Sequence, residues 1–279
     1  MNPPKRAKLQ RVHAPRHYFP EWLATAAEVA AECAARWRLA LGTPFPSQVG
    51  YVVPAELRNG SRAVLKINPP NEREVEHEAA ALRHYDGRGA VRLLEHDRAT
   101  NALLVERCDP GTALWELPEE EANPLAAEVV RRLWRPAPAG HPFRTLADEA
   151  QHWSRSLEPH TAEPLVRLAL VLLRDLAPTQ GEQGVLHQDL NQGNILAARR
   201  EPWLAIDPKP LVGEREFDVA SLIRDRRFAF DARLVRRRLD FYVAELGLDR
   251  ERTRGWTIAH AVAWGIGSAE HIASAEALA

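Results

Sequence analysis

In the stretch VLHQDLNQGNILAARREPWLAIDPKP, residues 185–210, three polar residues stand at the ends of two short apolar runs: Asp189, Asn194 and Asp207. Acidic and amide residues are poor strand formers, so their place around "NILA" and "WLAID" asks for a chemical reason. A four-residue turn "RREP" at 199–202 would set Asn194 opposite Asp207, with Cβ atoms about 4.5–5.5 Å apart on one face. An amide oxygen and a carboxylate at that spacing can share one hard cation. Mg2+ suits such a pair, because it takes few protein oxygens and keeps phosphate oxygens as the rest of its shell. Asp189 lies on the loop leading into the hairpin and could reach the same cavity as a base. Each of the three alone is an ordinary turn former or cap. The three together, preceded by His187, are not.

A second oddity concerns lysine. The chain has four, Lys5, Lys8, Lys66 and Lys209, and uses Arg almost everywhere else it carries positive charge. Two of the four lie in the N-terminal tail. Lys66, inside "RAVLKI", therefore departs from the chain's habit. Chance is one account. The other is a site that needs a compact ammonium instead of a guanidinium fork.

These residues need elements to hold them. Residues 21–41 are Ala-rich with apolar positions at helical spacing. "GYVVPAEL" and "RAVLKI" alternate like strands, and Asn59-Gly60 between them signals a hairpin. Pro54 suggests that the first of the two is an edge or bulged strand. A helix follows to Gly87, with Asn71 and Glu74 as a capping box. "AVRLLEHD" and "NALLVERC" read as two further strands. From about residue 119 the pattern turns helical, over 119–135, 143–157, 161–177, 231–246 and 250–278, with Thr145 and Asp148 as another capping box. The expected fold is α+β: a sheet-rich N-terminal lobe over 1–107, a short connection near 106–112, and a larger, mainly helical lobe over 108–279 carrying the hairpin.

Composition excludes several classes. A chain of 279 residues, 45% hydrophobic and 27% charged, is an ordinary globular one. A formal net charge of −1 does not favour nucleic acid or an anionic membrane as a partner. Cys33 and Cys108 are far apart with no metal-ligand pattern around them, which suggests a reducing cytoplasm. No apolar run approaches a membrane span. The basic, Pro-rich first residues lack the apolar core of a signal peptide and read as a frayed tail. There is no H-E-x-x-H, no G-x-S-x-G and no Walker A lysine motif. Trp153, Trp256 and Trp264 read as core.

"HQDLNQGN" fits H-x-D-L-x-x-x-N, the protein-kinase-like catalytic loop, and resembles still more the aminoglycoside phosphotransferase form. "EPWLAIDPKPLVGEREFDVASLIRD", "AVLKI", "EHEAAALRHYDGRGAVRLLEHD" and the segment from Ala102 to Leu114 resemble the streptomycin 6-kinase and hydroxyurea phosphotransferase branch. The likeness runs from about residue 37 to 265, with its motifs in order. It implies a two-lobed protein-kinase-like fold with ATP in the cleft between the lobes. Asp189 would be the base that accepts the hydroxyl proton, and Asn194 and Asp207 the Mg2+ ligands. Lys66 would hold the α- and β-phosphates, with Glu78 as its helix partner and Glu74, one turn earlier, as runner-up. Helical spacing puts Val75, Glu78 and Leu82 on one face. Glu106 to Cys108 would be the adenine hinge, His187 would orient the loop, and Asp218 would support it.

The chain also departs from the branch. Gln188 replaces a common Gly and Asn191 a common His near the transferred phosphate, so one positive charge is missing there. "GTPFPSQVGYV" lacks G-x-G-x-x-G, leaving Ser47 and nearby backbone to cover the phosphates. The implied activity is transfer of the γ-phosphoryl group of ATP to a hydroxyl of a streptomycin-like aminoglycoside, giving antibiotic resistance. Hydroxyurea or another small metabolite is the alternative acceptor, and a non-catalytic nucleotide-binding pseudokinase is the alternative class. For a cationic acceptor the candidate contact is Glu270, near Glu276 on a C-terminal helix also carrying His260, Trp264 and His271.

Overall fold

The computed structural model describes residues 20–47, 50–69, 77–225 and 231–279. The elements begin with α1 (Pro20–Trp37), β1 (Ala40–Leu41), β2 (Tyr51–Glu56), β3 (Arg62–Ile67), α2 (Glu78–Tyr85), β4 (Leu93–Asp97) and β5 (Ala102–Glu106). Next come α3 (Glu119–Leu133), β6 (Arg144–Thr145), α4 (Leu146–Leu157), α5 (Pro164–Leu176), β7 (Gln183–Leu186), β8 (Ile195–Ala197) and β9 (Trp203–Ala205). The chain ends with β10 (Leu211–Glu214), α6 (Arg215–Asp218), α7 (Ala220–Ile223), α8 (Ala232–Leu246), α9 (Arg250–Gly265) and α10 (Ala269–Leu278). Two compact units result: Pro15–Phe143 with Gly184–Val212, and Arg144–Gln183 with Gly213–Ala279, each over its described residues. No helix among the described residues is long and apolar enough to cross a membrane.

In the first unit an antiparallel sheet runs β1-β2-β3-β5-β4. Burial alternates along β3. Ala63, Leu65 and Ile67 are buried, while Lys66 belongs to the other face. The buried face meets α1 through Ala26, Ala30 and Cys33, at helical spacing, with Val53, Ala55, Ala102 and Leu104 beside them. Small residues on α1 let the helix approach closely, and each buried Leu or Val side chain contributes on the order of 1.5–3 kcal/mol. Gly60, at φ 79°, makes the β2–β3 turn in the backbone region glycine favours. β2 is not the edge strand expected from Pro54, because β1 flanks it. The Pro54 carbonyl accepts from Gly42 N–H at 2.8 Å, just beyond the two residues of β1. The missing N–H thus falls where β1 has ended, and costs the ladder nothing.

The predicted helix over 21–41 ends at Trp37, and its last residues form β1 instead. Asn71, Glu74 and Val75 lie outside the described residues.

The second unit is helical around α9, which is buried along most of its length. Trp153, Phe217, Trp256 and His260 form its aromatic core, with ring centroids 5.3–5.8 Å apart. Trp256 is fully buried and its indole N–H donates to Glu214, which Arg252 also grips at 2.7 Å. Trp264 is only half-buried, with the Arg224 guanidinium 5.4 Å from its ring centre. The Thr145–Asp148 capping box forms. The single helix expected over 250–278 is two, α9 and α10, separated at 266–268. Gly265 sits at the break against His271, where an added Cβ would collide with the imidazole.

Candidate active site

Every residue of the following constellation belongs to the first unit. Strand alternation takes Lys66 off the α1 face of β3, and its ammonium lies 2.8 Å and 3.0 Å from the two carboxylate oxygens of Glu78. Glu78 opens α2 and is buried on the same face as Leu82 and Tyr85. Asn68 Nδ2 donates to Glu78 at 2.9 Å, steadying the carboxylate from a second side. Lys66 also pairs with Asp207. The side chain of Glu78 is 3% exposed and that of Asp207 37%, so Asp207 is the carboxylate a solvent-borne ligand can reach.

Two carboxylates thus share one ammonium. Burial works against the Lys66 charge, but Asp207 and Glu78 outweigh it and hold its pKa above the ordinary value. Burial and the Asp207 charge leave Glu78 raised despite Lys66. Burial also opposes the Asp207 charge, yet Lys66, with help from Lys209, lowers its pKa.

The loop after β7 is tied down by its own backbone. His187 is fully buried, and its Nε2–H donates to the Ile206 carbonyl at 2.9 Å. The His187 carbonyl accepts from Asp189 N–H at 2.8 Å and from Lys209 N–H at 3.0 Å. Asp189 Oδ2 accepts from Lys209 Nζ at 2.8 Å and Oδ1 from Asn191 Nδ2 at 3.2 Å. Asn194 Nδ2 donates to the Asp189 carbonyl at 2.8 Å. Gln188 takes φ 66°, which accounts for a glycine being at home in this place. Gln192 donates to Asn123 of α3 at 2.8 Å, and Gly193 lies against Trp115 so closely that a Cβ would run into the ring.

The hairpin register differs from the expected one. Ile195 pairs with Ala205 and Ala197 with Trp203, and Ala198 N–H closes onto the Pro202 carbonyl at 3.1 Å. The hairpin is centred on Arg200 rather than on the Arg200–Glu201 bond, so Asn194 faces Ile206, whose N–H donates to the Asn194 carbonyl at 2.9 Å. Asn194 and Asp207 are not cross-strand partners. A one-residue slip would normally send a side chain to the opposite face. Asp207 lies beyond β9 at φ 61°, outside the strand's alternation, and its carboxylate turns to Lys66.

Among the described residues no group of three or more His, Cys, Asp or Glu side chains is arranged to hold a metal. Of the two expected ligands, Asp207 would offer a carboxylate and Asn194 an amide oxygen, its nitrogen being bonded to the Asp189 carbonyl. That hard, sparse oxygen set fits Mg2+ carried in on phosphates.

The segment Glu106–Cys108, expected as the hinge, is held by the Glu106 side chain. Glu106 takes Arg200 through both carboxylate oxygens at 2.8–3.1 Å and accepts from Arg92 N–H at 3.1 Å. Burial opposes the Glu106 charge, but the Arg200 bonds prevail and lower its pKa. Burial pushes the Cys108 thiol up to about 12, with the Glu106 charge adding to it, so it is an inert thiol. Ser47 is exposed, and residues 48–49 after it lie outside the described set. In the second unit Asp218 is fully buried on α6. Glu270 is exposed in the first turn of α10, within 3.4 Å of Ser268 Oγ. It does not share a helix with His260 and Trp264, which are on α9. Arg224 bonds His260 at 3.0 Å and His271 at 2.7 Å, so cationic charge is already present beside those two rings.

Sequence reasoning passed over Lys209, Arg200, Asn68 and Trp115. Only Lys209 had a visible signal: like Lys66, it is a lysine in an arginine-using chain.

The fold is the protein-kinase-like one. Its solved neighbours include a choline kinase from Streptococcus pneumoniae, at TM-score 0.63 and 13% identity over 91% of this chain and 99% of that one. They also include an aminoglycoside phosphotransferase in ternary complex with AMP-PNP and hygromycin B, at TM-score 0.61 and 16% identity over 90% and 95%. At such identities the likeness concerns fold alone. The chain belongs to the aminoglycoside/hydroxyurea antibiotic resistance kinase family, whose model matches residues 36–271. It is 38% identical over 250 residues to a streptomycin 6-kinase of Streptomyces glaucescens, covering 85% of this chain and 80% of that protein. It is 40% identical over 247 residues to a hydroxyurea phosphotransferase of Kitasatospora aureofaciens, covering 83% and 70%. The protein is a phosphotransferase with an alcohol group as acceptor.

Proposed function

We propose that the protein uses ATP with Mg2+ to phosphorylate a hydroxyl of a streptomycin-like aminoglycoside, and so confers resistance. The observation that carries this is the meeting of Lys66, Glu78 and Asp207, with Asp189 held in the loop that also supplies Asn194. Lys66 binds the α- and β-phosphates and Glu78 keeps its ammonium in place. Asp207 and the Asn194 oxygen hold Mg2+, which supplies charge neutralisation at the phosphates. Ser47 and its neighbours cover the phosphates, and the backbone of Glu106–Cys108 meets the adenine. Residues up to 107 act as the nucleotide lobe and those from 108 as the catalytic and acceptor lobe.

Asp189 Oδ2 takes the hydroxyl proton as the acceptor oxygen bonds to the γ-phosphorus. His187 orients the loop and Asp218 supports it. The loose transition state asks for positioning and charge more than covalent help. Glu270 takes a guanidinium of the acceptor through two parallel hydrogen bonds. Two streptomycin 6-kinases among the relatives, each 38% identical, support this acceptor. The hydroxyurea relative makes hydroxyurea the second candidate.

A coupled ADP-release assay over streptomycin, other aminoglycosides, hydroxyurea and no acceptor tests the reading. Streptomycin-dependent release is expected, lowered about 10²–10⁴-fold in Asp189→Ala with the Mg-ATP thermal shift retained. Release with hydroxyurea alone would replace the substrate. Near wild-type turnover in Asp189→Ala would overturn the mechanism.

A further inference from the structure

Lys209 is one of only two lysines outside the N-terminal tail, and the mechanism above gives it no task. It stands between Pro208 and Pro210, each of which fixes its own φ. Its N–H is bound to the His187 carbonyl at 3.0 Å, so the catalytic loop itself sets where the side chain starts. Its ammonium ends 2.8 Å from Asp189 Oδ2, with the lysine side chain 12% and the aspartate 15% exposed. Its charge is also felt at Asp207. The ammonium therefore sits by the candidate base and within electrostatic reach of the candidate metal ligand.

The catalytic loop brings no cation of its own to this spot. Asn191 spends its side-chain oxygen on Gly193 N–H at 2.9 Å and its nitrogen on Asp189. It is neutral and turned into the loop. A positive charge at the transferred phosphoryl group has to come from elsewhere in the fold, and Lys209 enters from the segment after β9.

We propose that Lys209 is a catalytic residue of the phosphoryl transfer, its ammonium bridging Asp189 and the oxygens of the group in flight. The inference rests on the kinase reading. In the step, the bond between the acceptor oxygen and the γ-phosphorus forms as the bond to the β,γ-bridging oxygen breaks. ADP leaves with that electron pair, and the hydroxyl proton passes to Asp189. Throughout, negative charge stays on the three equatorial oxygens. An ammonium has three donors around one point, so one N–H can stay on Asp189 while another follows a phosphoryl oxygen. A guanidinium spreads its donors over a rigid plane, which explains why this chain departs from arginine here.

The test uses the full chain with streptomycin as acceptor, and compares wild type with Lys209→Ala, Lys209→Met and Lys209→Arg. Lys209→Ala and Lys209→Met should lower kcat by about 10²–10³-fold, with KM for ATP and the Mg-ATP thermal shift changed little. Added ethylammonium should restore turnover of Lys209→Ala saturably, and Lys209→Arg should recover only part. A purely structural lysine would show no amine rescue. Lys209→Met retaining kcat within about threefold of wild type, or a Lys209→Ala loss that ethylammonium leaves untouched, overturns the inference. Wild-type enzyme that releases no ADP with streptomycin, hydroxyurea or any other aminoglycoside overturns the kinase reading, and this inference with it, so the two failures are told apart.

Discussion

Arg200, in the β8–β9 turn, closes on Glu106, at the end of β5 and 94 residues away, through three hydrogen bonds of 2.8–3.1 Å. The same guanidinium reaches the carbonyls of Gly87 and Ala90 at 2.5 Å and 3.0 Å. One planar fork thus ties the hairpin to the α2–β4 loop and to the end of β5. An ammonium cannot span those partners. Arg200→Lys should lose about 1.5–3 kcal/mol of stability in urea unfolding, with an unchanged slope. The pair also has a pH signature. Its stabilisation is present above the ordinary Glu106 value of 4.5, because the folded pKa is lowered, and is lost as pH falls through the folded value. Glu106→Gln should therefore lose Tm less steeply than wild type as pH falls below about 5. Parallel curves would show that the pair contributes nothing.

Lys66 serves two carboxylates from one point, Glu78 at 2.8 Å on one side and Asp207 on the other. Lys66→Arg should lower kcat/KM for ATP at least about tenfold, because the fork is longer and flat. Asp207→Ala should abolish the rise in Tm on adding Mg-ATP, while Mg2+-free nucleotide is affected less. Full activity in Lys66→Arg would remove the reason offered for a lysine in this place.

Gly193 and Trp115 share a contact with no room for a methyl group. Gly193→Ala should cost about 1–3 kcal/mol by overpacking and lower kcat, since Asn191 and Asn194 flank the displaced residue. Gly193→Ala with Trp115→Ala should recover part of both losses, and a double-mutant cycle measures the coupling. Additive losses would mean that the ring is not what excludes the methyl group.

Glu270→Gln should raise KM for streptomycin and leave KM for ATP unchanged, because it removes the charge from a bidentate partner. Hydroxyurea is neutral and should be indifferent to the change. The comparison of the two acceptors in one assay decides the matter, and equal KM values for streptomycin in the two proteins would clear Glu270 of any acceptor role.

Much of the scaffold was legible because it rests on local rules. Alternation along "RAVLKI" found β3, the apolar run "ALLVE" found β5, Asn59-Gly60 marked the turn from β2 to β3, and Thr145 with Asp148 capped α4 as its side chain predicts. The loop pattern from His187 to Asn194 was visible as a pattern, since its residues are neighbours in sequence. Local rules failed where two conformations differ by a single residue. The hairpin centre moved from the Arg200–Glu201 bond to Arg200 itself, which a count of turn residues cannot decide and the closing bond from Ala198 to Pro202 does. Pro54 read as an edge signal because sequence does not show that β1 stops after two residues.

The sequence by itself determined which chemical groups are present and which secondary structure carries each one: a lysine on a strand, a carboxylate on a helix, an aspartate in a short loop. Tertiary structure alone decided which groups meet. Lys209 reaches Asp189 across 20 residues, Arg200 reaches Glu106 across 94, and Lys66 reaches Asp207 across 141. The reason is that periodicity specifies the direction of a side chain relative to its own element, whereas an ion pair also needs the distance between two elements. That distance is set by packing, here by the small residues that bring α1 onto the sheet and by the left-handed backbone at Asp207 that turns its carboxylate to Lys66.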